Sequence, residues 1–123
     1  MAEGRGSAVV AMALLCLLVV ALECEAATYI VGDERGWTFG VSGWENGKRF
    51  MAGDVLVFNY LQGAHNVAVV NKADYDGCNT SPTNAKMYTS GKDEIKLEKG
   101  LNNFICTIPT HCNFGMKIQI LAS

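Results

Sequence analysis

Residues 104–116 read FICTIPTHCNFGM and join two segments that have the composition of β-strands. The first segment is a β-branched and aromatic run ending at Cys106, and the second begins at Met116 with apolar residues at alternating positions. A thiol, an imidazole and a thioether therefore follow one another at five-residue spacing, on Cys106, His111 and Met116. This pattern predicts a loop between two strands that carries sulfur and nitrogen donors suited to a metal ion.

Other short apolar runs indicate that the whole domain is built from strands. None of them shows a helical period sustained over ten or more residues, and glycine or asparagine separates most of them. The fold class predicted is all-β, a Greek-key β-sandwich of about seven to eight short strands in two sheets. The predicted strands are residues 27–31, 55–60, 66–70, 86–89, 95–98, 101–106 and 116–121.

The first 26 residues have the pattern of a secretory signal peptide. Arg5 precedes a continuous apolar run over residues 8–22, and Cys24-Glu25-Ala26 places small residues where signal peptidase reads them. The apolar run is fifteen residues long, shorter than the roughly 20 that a membrane-spanning helix needs. We expect cleavage after Ala26, which makes residues 27–123 the mature domain.

The charge of the mature domain excludes several classes of partner. Removing the leader leaves nine acidic and nine basic residues, so the domain is close to neutral. No basic block interleaved with aromatic residues is present, so we expect no nucleic-acid partner. The last residues carry no apolar tail of the kind that directs lipid anchoring. The expected product is secreted, extracellular and monomeric, with no membrane anchor in its mature form.

Three cysteines remain in the mature domain, since Cys16 and Cys24 leave with the signal peptide. Cys78, Cys106 and Cys112 can form at most one internal disulfide, so one thiol needs another role. Spacing alone does not decide whether Cys106 or Cys112 binds metal. There is a weak preference against Cys112, because it adjoins His111 and adjacent side chains of an extended segment point in opposite directions.

Metal binding accounts for the odd thiol and for both histidines of the chain. His65 opens a predicted strand, and His111 lies in the loop that follows Cys106. Two imidazoles, one thiolate and a weak axial thioether form the ligand set of blue copper. Such a site accepts both copper oxidation states and offers no open position for a substrate. The sequence thus predicts an electron carrier rather than an enzyme. Taken singly, each of these residues has an ordinary structural interpretation, as a core methionine, a hydrogen-bonded histidine or a buried cysteine.

Seven segments of the mature chain have the sequences of a known family: residues 28–32, 36–39, 47–50, 52–60, 65–67, 88–91 and 104–106. In these segments the chain resembles the phytocyanins, the plant branch of the cupredoxins, and is most similar to the plantacyanin (basic blue protein) group. The resemblance implies one copper ion on His65, Cys106, His111 and Met116, and a disulfide from Cys78 to Cys112.

The resemblance also implies roles for individual residues in and around the loop. Asn66 is expected to tie the His65 segment to the Cys106 loop, and the edge of His111 to be the site of electron transfer. One departure is Thr110, where the family usually has glycine. If that position requires a positive φ, a β-branched residue there is strained.

Three functions of different classes follow from these observations. The first is a one-electron copper carrier that exchanges electrons with an unknown small-molecule or protein redox partner. The second is an extracellular interaction or signalling module in which copper is structural or incidental. The third is a structural zinc protein, which the thioether donor disfavours because zinc sites normally take imidazole, thiolate or carboxylate ligands.

Overall fold

The computed structural model describes residues 25–123. The signal peptide predicted from the sequence lies mostly outside the described residues, which include only its last two positions. Within residues 25–123 no helix is long and apolar enough to cross a membrane. The described strands are β1 (Thr28–Ile30), β2 (Val55–Asn59), β3 (Val67–Val70), β4 (Lys86–Tyr88), β5 (Lys92–Lys96), β6 (Gly100–Ile105) and β7 (Lys117–Ala122).

The seven strands of the described part form two sheets, which confirms the predicted two-sheet all-β fold. One sheet has the order β1-β2-β5, and the other has the order β4-β3-β6-β7. Strand β1 pairs with β2 in parallel, whereas the remaining neighbours are antiparallel. Strand β2 is buried through its three central residues, as its continuous apolar sequence predicts.

Aromatic side chains hold the two sheets together. Phe58 of β2 and Phe104 of β6 lie on opposite sheets, and their ring centroids are 5.2 Å apart. Trp37 packs edge-on against Phe58 at 5.0 Å and is only 1% exposed. Burying large aromatic side chains in this way supplies much of the driving force for folding. The resulting core is continuous between the sheets and gives the loops at either end a fixed base.

A short helix and two single 3-10 turns complete the described structure. Helix α1 (Lys72–Gly77) begins after Asn71, whose side chain accepts a hydrogen bond from the Asp74 backbone N–H. An asparagine in that position satisfies one of the free N–H groups at a helix start. The 3-10 turns span Asp33–Arg35 and Cys112–Phe114. The second turn lies within the loop that carries the predicted metal donors.

Both ends of the described domain bond to one turn at residues 50–54. The Ala27 nitrogen donates to an Asp54 side-chain oxygen at 2.9 Å. At the other end, the Ala52 N–H donates to the Ser123 carbonyl at 2.9 Å, and the Ser123 N–H donates to the Phe50 carbonyl at 3.1 Å. Strand β2 leaves this turn and runs toward the histidine loops, so the domain has a terminal pole and a loop pole.

Candidate metal centre

Three of the predicted donors converge at the loop pole. The ligand atoms of His65, Cys106 and His111 all lie within 4.8 Å of one another. The Nδ1 atoms of the two histidines are 3.1 Å apart, and the Cys106 Sγ lies 3.6 Å from the His111 Nδ1. Cys106 is fully buried, while both histidines are half-buried. Two imidazole nitrogens and one thiol therefore face a common point just below the surface.

Strand pairing explains why residues so distant in sequence meet here. Strands β3 and β6 are antiparallel neighbours, with Ala68 opposite Ile105. The start of β3 and the end of β6 consequently lie at the same end of the sheet. His65 shortly precedes β3 and Cys106 directly follows β6, so the strand pairing brings the two segments that carry them together.

Met116 lies at the base of the same loop. It is fully buried, its N–H donates to the His111 carbonyl at 3.1 Å, and its own carbonyl accepts from the Cys106 N–H at 3.0 Å. These two bonds close the loop into a compact ring of backbone between β6 and β7. Met116, which carries the thioether, is thus hydrogen-bonded through its backbone to both His111 and Cys106.

The disulfide decides which cysteine is available to a metal. Cys78, just after helix α1, is bonded to Cys112, and the free cysteine of the described residues is the buried Cys106. The alternative left open by spacing, in which Cys112 binds metal, is therefore excluded. The same bond fastens the loop to a segment 34 residues earlier in the chain.

Asn66 joins the two sides of the site. Its Oδ1 accepts from the Thr107 N–H at 2.8 Å, and its Nδ2 donates to the Thr107 Oγ1 at 2.9 Å. Its carbonyl accepts from the Trp37 indole N–H at 2.9 Å. The expected link between the His65 segment and the Cys106 loop is thus present, and it is anchored in turn to the core through Trp37.

Thr110 adopts the left-handed conformation on which the expectation of strain depended. Its φ is 74°, in the region that favours glycine. The condition stated from the sequence, a positive φ at a β-branched residue, is therefore met, and Thr110 is strained. The turn that this conformation makes leads directly into His111, whose N–H donates back to the Ile108 carbonyl at 3.1 Å.

Phe39 is a contact residue of the site that the sequence did not single out. Its ring meets the His111 ring edge-on at 4.7 Å and the His65 ring edge-on at 5.4 Å. The contact arises because the Gly40 N–H donates to the Phe114 carbonyl and Gly115 approaches Gly40 closely. Nothing in the local sequence around Phe39 indicates this contact, since it depends on how two distant loops fold against each other.

Tyr60 and Asp93 form a second unpredicted feature beside the site. The Tyr60 hydroxyl donates to the buried Asp93 carboxylate, which also accepts from the Ser90 hydroxyl at 2.6 Å. Burial, with this hydrogen bond as the next cause, raises the pKa of Tyr60 to about 12. The Tyr60 ring lies 6.4 Å from the His65 ring, so the network supports the segment that carries this histidine.

The electrostatic state of His65 suits a metal ligand. Burial lowers the pKa of His65, and the neighbouring His111 lowers it further. A neutral imidazole keeps a lone pair for coordination. Together with a buried thiol and a nearby buried thioether residue, the donor set fits a soft transition metal such as copper and fits magnesium or calcium poorly.

Comparison with known proteins identifies the family of the chain. The plastocyanin-like domain family matches residues 37–116, a segment that contains every donor described above. The chain belongs to the plastocyanin-like domain family. Among relatives of this plastocyanin-like chain, a basic blue protein of Arabidopsis thaliana is 54% identical, with 99% of each chain covered. A chemocyanin of Lilium longiflorum is 48% identical, with 100% of each chain covered.

Solved structures show the same architecture as this plastocyanin-like domain. The chain titled cucumber basic protein, a blue copper protein, matches with a TM-score of 0.77 and 54% identity. The match covers 79% of this chain and 100% of that chain. These findings confirm the resemblance to the basic blue protein group and the cupredoxin-like fold that the sequence predicted.

Proposed function

We propose that this chain holds one copper ion on His65, Cys106, His111 and Met116 and carries single electrons. The observation that supports this most directly is the convergence of two imidazole Nδ1 atoms and one buried thiol within 4.8 Å. When bound, copper supplies the one-electron Cu(I)/Cu(II) couple. Relatives named basic blue protein and a solved structure titled a blue copper protein support the choice of metal.

The surrounding residues hold the donors in place independently of the metal. Asn66 fixes the His65 segment to the loop, the disulfide fixes the loop to the end of helix α1, and Phe39 packs against both imidazoles. A frame that resists movement keeps the ligands in nearly the same positions in both oxidation states. Small structural change lowers the reorganisation that accompanies electron transfer, which is the property an electron carrier needs.

Electrons pass through the His111 edge in this proposal. His111 is half-buried, and apolar side chains on the segments that carry or contact the two histidines are exposed: Phe39 by 42%, Leu61 by 78% and Phe114 by 67%. The four protein donors leave no position for a substrate, so the chain is not an enzyme in this proposal. The partner is a small molecule or protein that meets this apolar rim and exchanges one electron.

We further propose that cleavage after Ala26 releases a mature domain that acts outside the cell. The cucumber structure matches 79% of the 123-residue chain, which is about 97 residues and equals the length of segment 27–123. Every described strand also lies within that segment. The extracellular setting is consistent with the disulfide, because disulfides persist in oxidising compartments.

The decisive experiment is the visible absorption spectrum of the secreted domain after addition of Cu(II). We expect an intense blue band that bleaches with ascorbate and is absent from Cys106→Ser. The matched control is the double change Cys78→Ser and Cys112→Ser, which removes two sulfurs but retains Cys106 and should keep the band. A folded, colourless wild-type domain would reject the copper carrier and leave the interaction module. A colourless domain that binds zinc tightly would indicate the structural zinc protein.

A further inference from the structure

Asp54 is a buried carboxylate at the terminal pole, away from the proposed copper site. It is only 3% exposed. One oxygen accepts from the Ala27 nitrogen at 2.9 Å, and the other accepts from the Met51 N–H at 2.8 Å. Within residues 25–123 the ion pair found joins Lys72 to Asp76, so no lysine or arginine lies within 4.0 Å of Asp54. Aspartates this deeply buried are normally paired with a positive charge.

The nitrogen that already contacts Asp54 becomes charged if the leader is removed. Hydrolysis of the Ala26–Ala27 bond takes up one water, whose hydroxyl goes to the Ala26 carbonyl carbon and whose hydrogen goes to the Ala27 nitrogen. The resulting amine is mostly protonated at neutral pH and below, as α-amino groups are. An uncharged amide donor thus turns into an ammonium group at hydrogen-bonding distance from the carboxylate.

We propose that Asp54 is the binding site for the processed N-terminus, and that the Ala27 α-ammonium forms with it an ion pair that exists only after cleavage. This inference rests on the proposed cleavage after Ala26. Processing in this view completes the fold of the domain, because it supplies the missing counter-charge of a buried carboxylate.

The neighbourhood holds the new terminus in position. The Ala27 carbonyl accepts from the Val55 N–H at 2.9 Å, so both backbone polar groups of Ala27 are engaged. The adjacent Thr28 pairs with Val55 in the β1–β2 register. A terminus fixed on both sides loses little further freedom when its ammonium meets Asp54.

Cleavage also changes the charge of the recess around this turn. Glu25 lines the recess together with Ala27 and Asp54, and it departs with the leader. Processing therefore removes one acidic side chain and adds one ammonium group beside the same carboxylate. Both changes make the surroundings of the Asp54 carboxylate more positive and strengthen its attraction for the terminus.

The test compares secreted domains whose ammonium group lies in different places. The precursor is expressed in a secreting host as wild type and with Gly-Ser inserted between Ala26 and Ala27. The insertion moves the ammonium by roughly 7 Å of extended chain while the Ala27 N–H stays able to donate. Each form is also made with Asp54→Asn, and the unfolding equilibrium of all four is measured in urea.

We expect the insertion to increase the unfolding equilibrium constant about tenfold in the background that retains Asp54, as loss of a charged hydrogen bond does. In the Asp54→Asn background the same insertion should change the unfolding equilibrium constant less than twofold. The matched control is Asp93→Asn, which alters another buried carboxylate and should leave the insertion effect at its full size. An insertion effect of equal size with and without the Asp54→Asn change would overturn the ion pair.

Other readouts separate this inference from the proposed function. Terminal sequencing of the secreted wild type must give Ala27 first, and a different first residue would overturn both the cleavage and the ion pair. All four forms should turn blue with Cu(II), since the site lies at the other pole. If the blue colour is absent while the insertion effect still depends on Asp54, the copper carrier alone is rejected. If Asp54→Asn is not secreted, acetylation of the Ala27 amine on the wild-type domain must reproduce the insertion effect, and no effect would overturn the ion pair.

Discussion

Thr110 holds a backbone conformation that costs free energy for a β-branched residue. Its φ of 74° places the Cβ atom against the neighbouring carbonyl. Conformations of this kind cost of order 1–3 kcal/mol and persist where the surroundings enforce them. Here the disulfide at Cys112 and the bonds of Met116 enforce the turn, so the strain is held next to His111.

Replacing Thr110 with glycine should therefore stabilise the domain. We expect a gain of about 1 kcal/mol, because relief of strain outweighs the greater freedom of glycine in the unfolded chain. The melting temperature should rise by roughly 4–8 °C in a calorimetric scan. Asn84→Gly is the control, since Asn84 has a φ of 59° but asparagine tolerates this region. A larger gain at Asn84 than at Thr110 would contradict the strain argument.

Tyr60 should contribute a pH-dependent part of the stability on the alkaline side. Its pKa is about 12 in the fold against 10.0 ordinarily, so the fold favours the protonated form. The contribution is complete below about pH 10 and is lost as the pH rises through 12. We expect the free energy of unfolding, measured in urea, to fall between these values. The free energy of unfolding of Tyr60→Phe should fall less steeply over this pH range. Identical slopes for the variant and the wild type would rule out a contribution from the Tyr60 hydroxyl.

At the residue scale, the chemistry of the donors was predictable, but among their supporting contacts only that of Asn66 was expected. Histidine, cysteine and methionine indicate metal binding through their side chains. Phe39 and Tyr60 are ordinary core-type residues, and only the folded arrangement places them beside His65. Residue spacing left the choice between Cys106 and Cys112 open, whereas the resemblance to the phytocyanins implied the Cys78–Cys112 disulfide, which the structure confirms.

At the scale of elements, the loop between β6 and β7 depends on its disulfide. The bond links Cys112 to the C-terminal end of helix α1, 34 residues earlier. Chain-entropy arguments assign roughly 3–4 kcal/mol to closing a loop of this length. The bond therefore accounts for a substantial part of the stability expected of a small domain.

Changing Cys78 and Cys112 together to alanine should lower the free energy of unfolding by roughly 3–4 kcal/mol. The midpoint of urea unfolding of the metal-free domain measures the loss. Cys106→Ala, which removes a buried thiol but no covalent link, should cost clearly less. If both variants lose the same amount, the disulfide has no special role in stability.

Strand positions were largely predictable, and the exceptions have physical causes. The prediction for residues 95–98 was misplaced, because β5 spans Lys92–Lys96. The buried Asp93 occupies an inward position where the alternation rule expects an apolar residue. Helix α1 was also too short to give a helical period, although Asn71 is a typical N-cap. Nothing in the local sequence of either strand indicates that β1 pairs with β2 in parallel.

At the scale of the whole molecule, neutrality should make electron exchange depend on local rather than total charge. Residues 27–123 have equal numbers of acidic and basic residues, and no charged residue lies within three positions of either histidine in the sequence. Long-range steering of a charged partner is therefore expected to be weak. A single charge placed on the rim should then dominate the rate.

Leu61→Glu should slow electron exchange with an anionic oxidant by about threefold to tenfold at low salt. The effect should shrink as salt is added, because screening shortens the reach of the new charge. Leu121→Glu is the control, since Leu121 is 71% exposed against 78% for Leu61 but lies near the terminal pole. Stopped-flow growth of the blue band, starting from the ascorbate-reduced protein, gives both rates. Equal slowing by the two variants would point to net charge instead of the rim.

The fold class itself could be predicted from the sequence, whereas the set of loops that lies at each end of the domain could not. Alternating apolar residues and turn glycines predict a two-sheet sandwich, and the structure confirms it. Which loops share an end depends on strand order, which local patterns do not encode. The gathering of Ala27, Asp54 and Ser123 at one end is the least predictable feature of the chain.

That gathering determines how the domain would behave when tethered. Strand β7 runs its six residues from the proposed copper site to Ser123, a distance of roughly 20 Å. A linker, a fused reporter or an electrode coating attached to Ser123 would therefore lie at the terminal pole, opposite the histidines. The histidine edge would face outward into solution, so immobilised copies should stay accessible to mobile redox dyes.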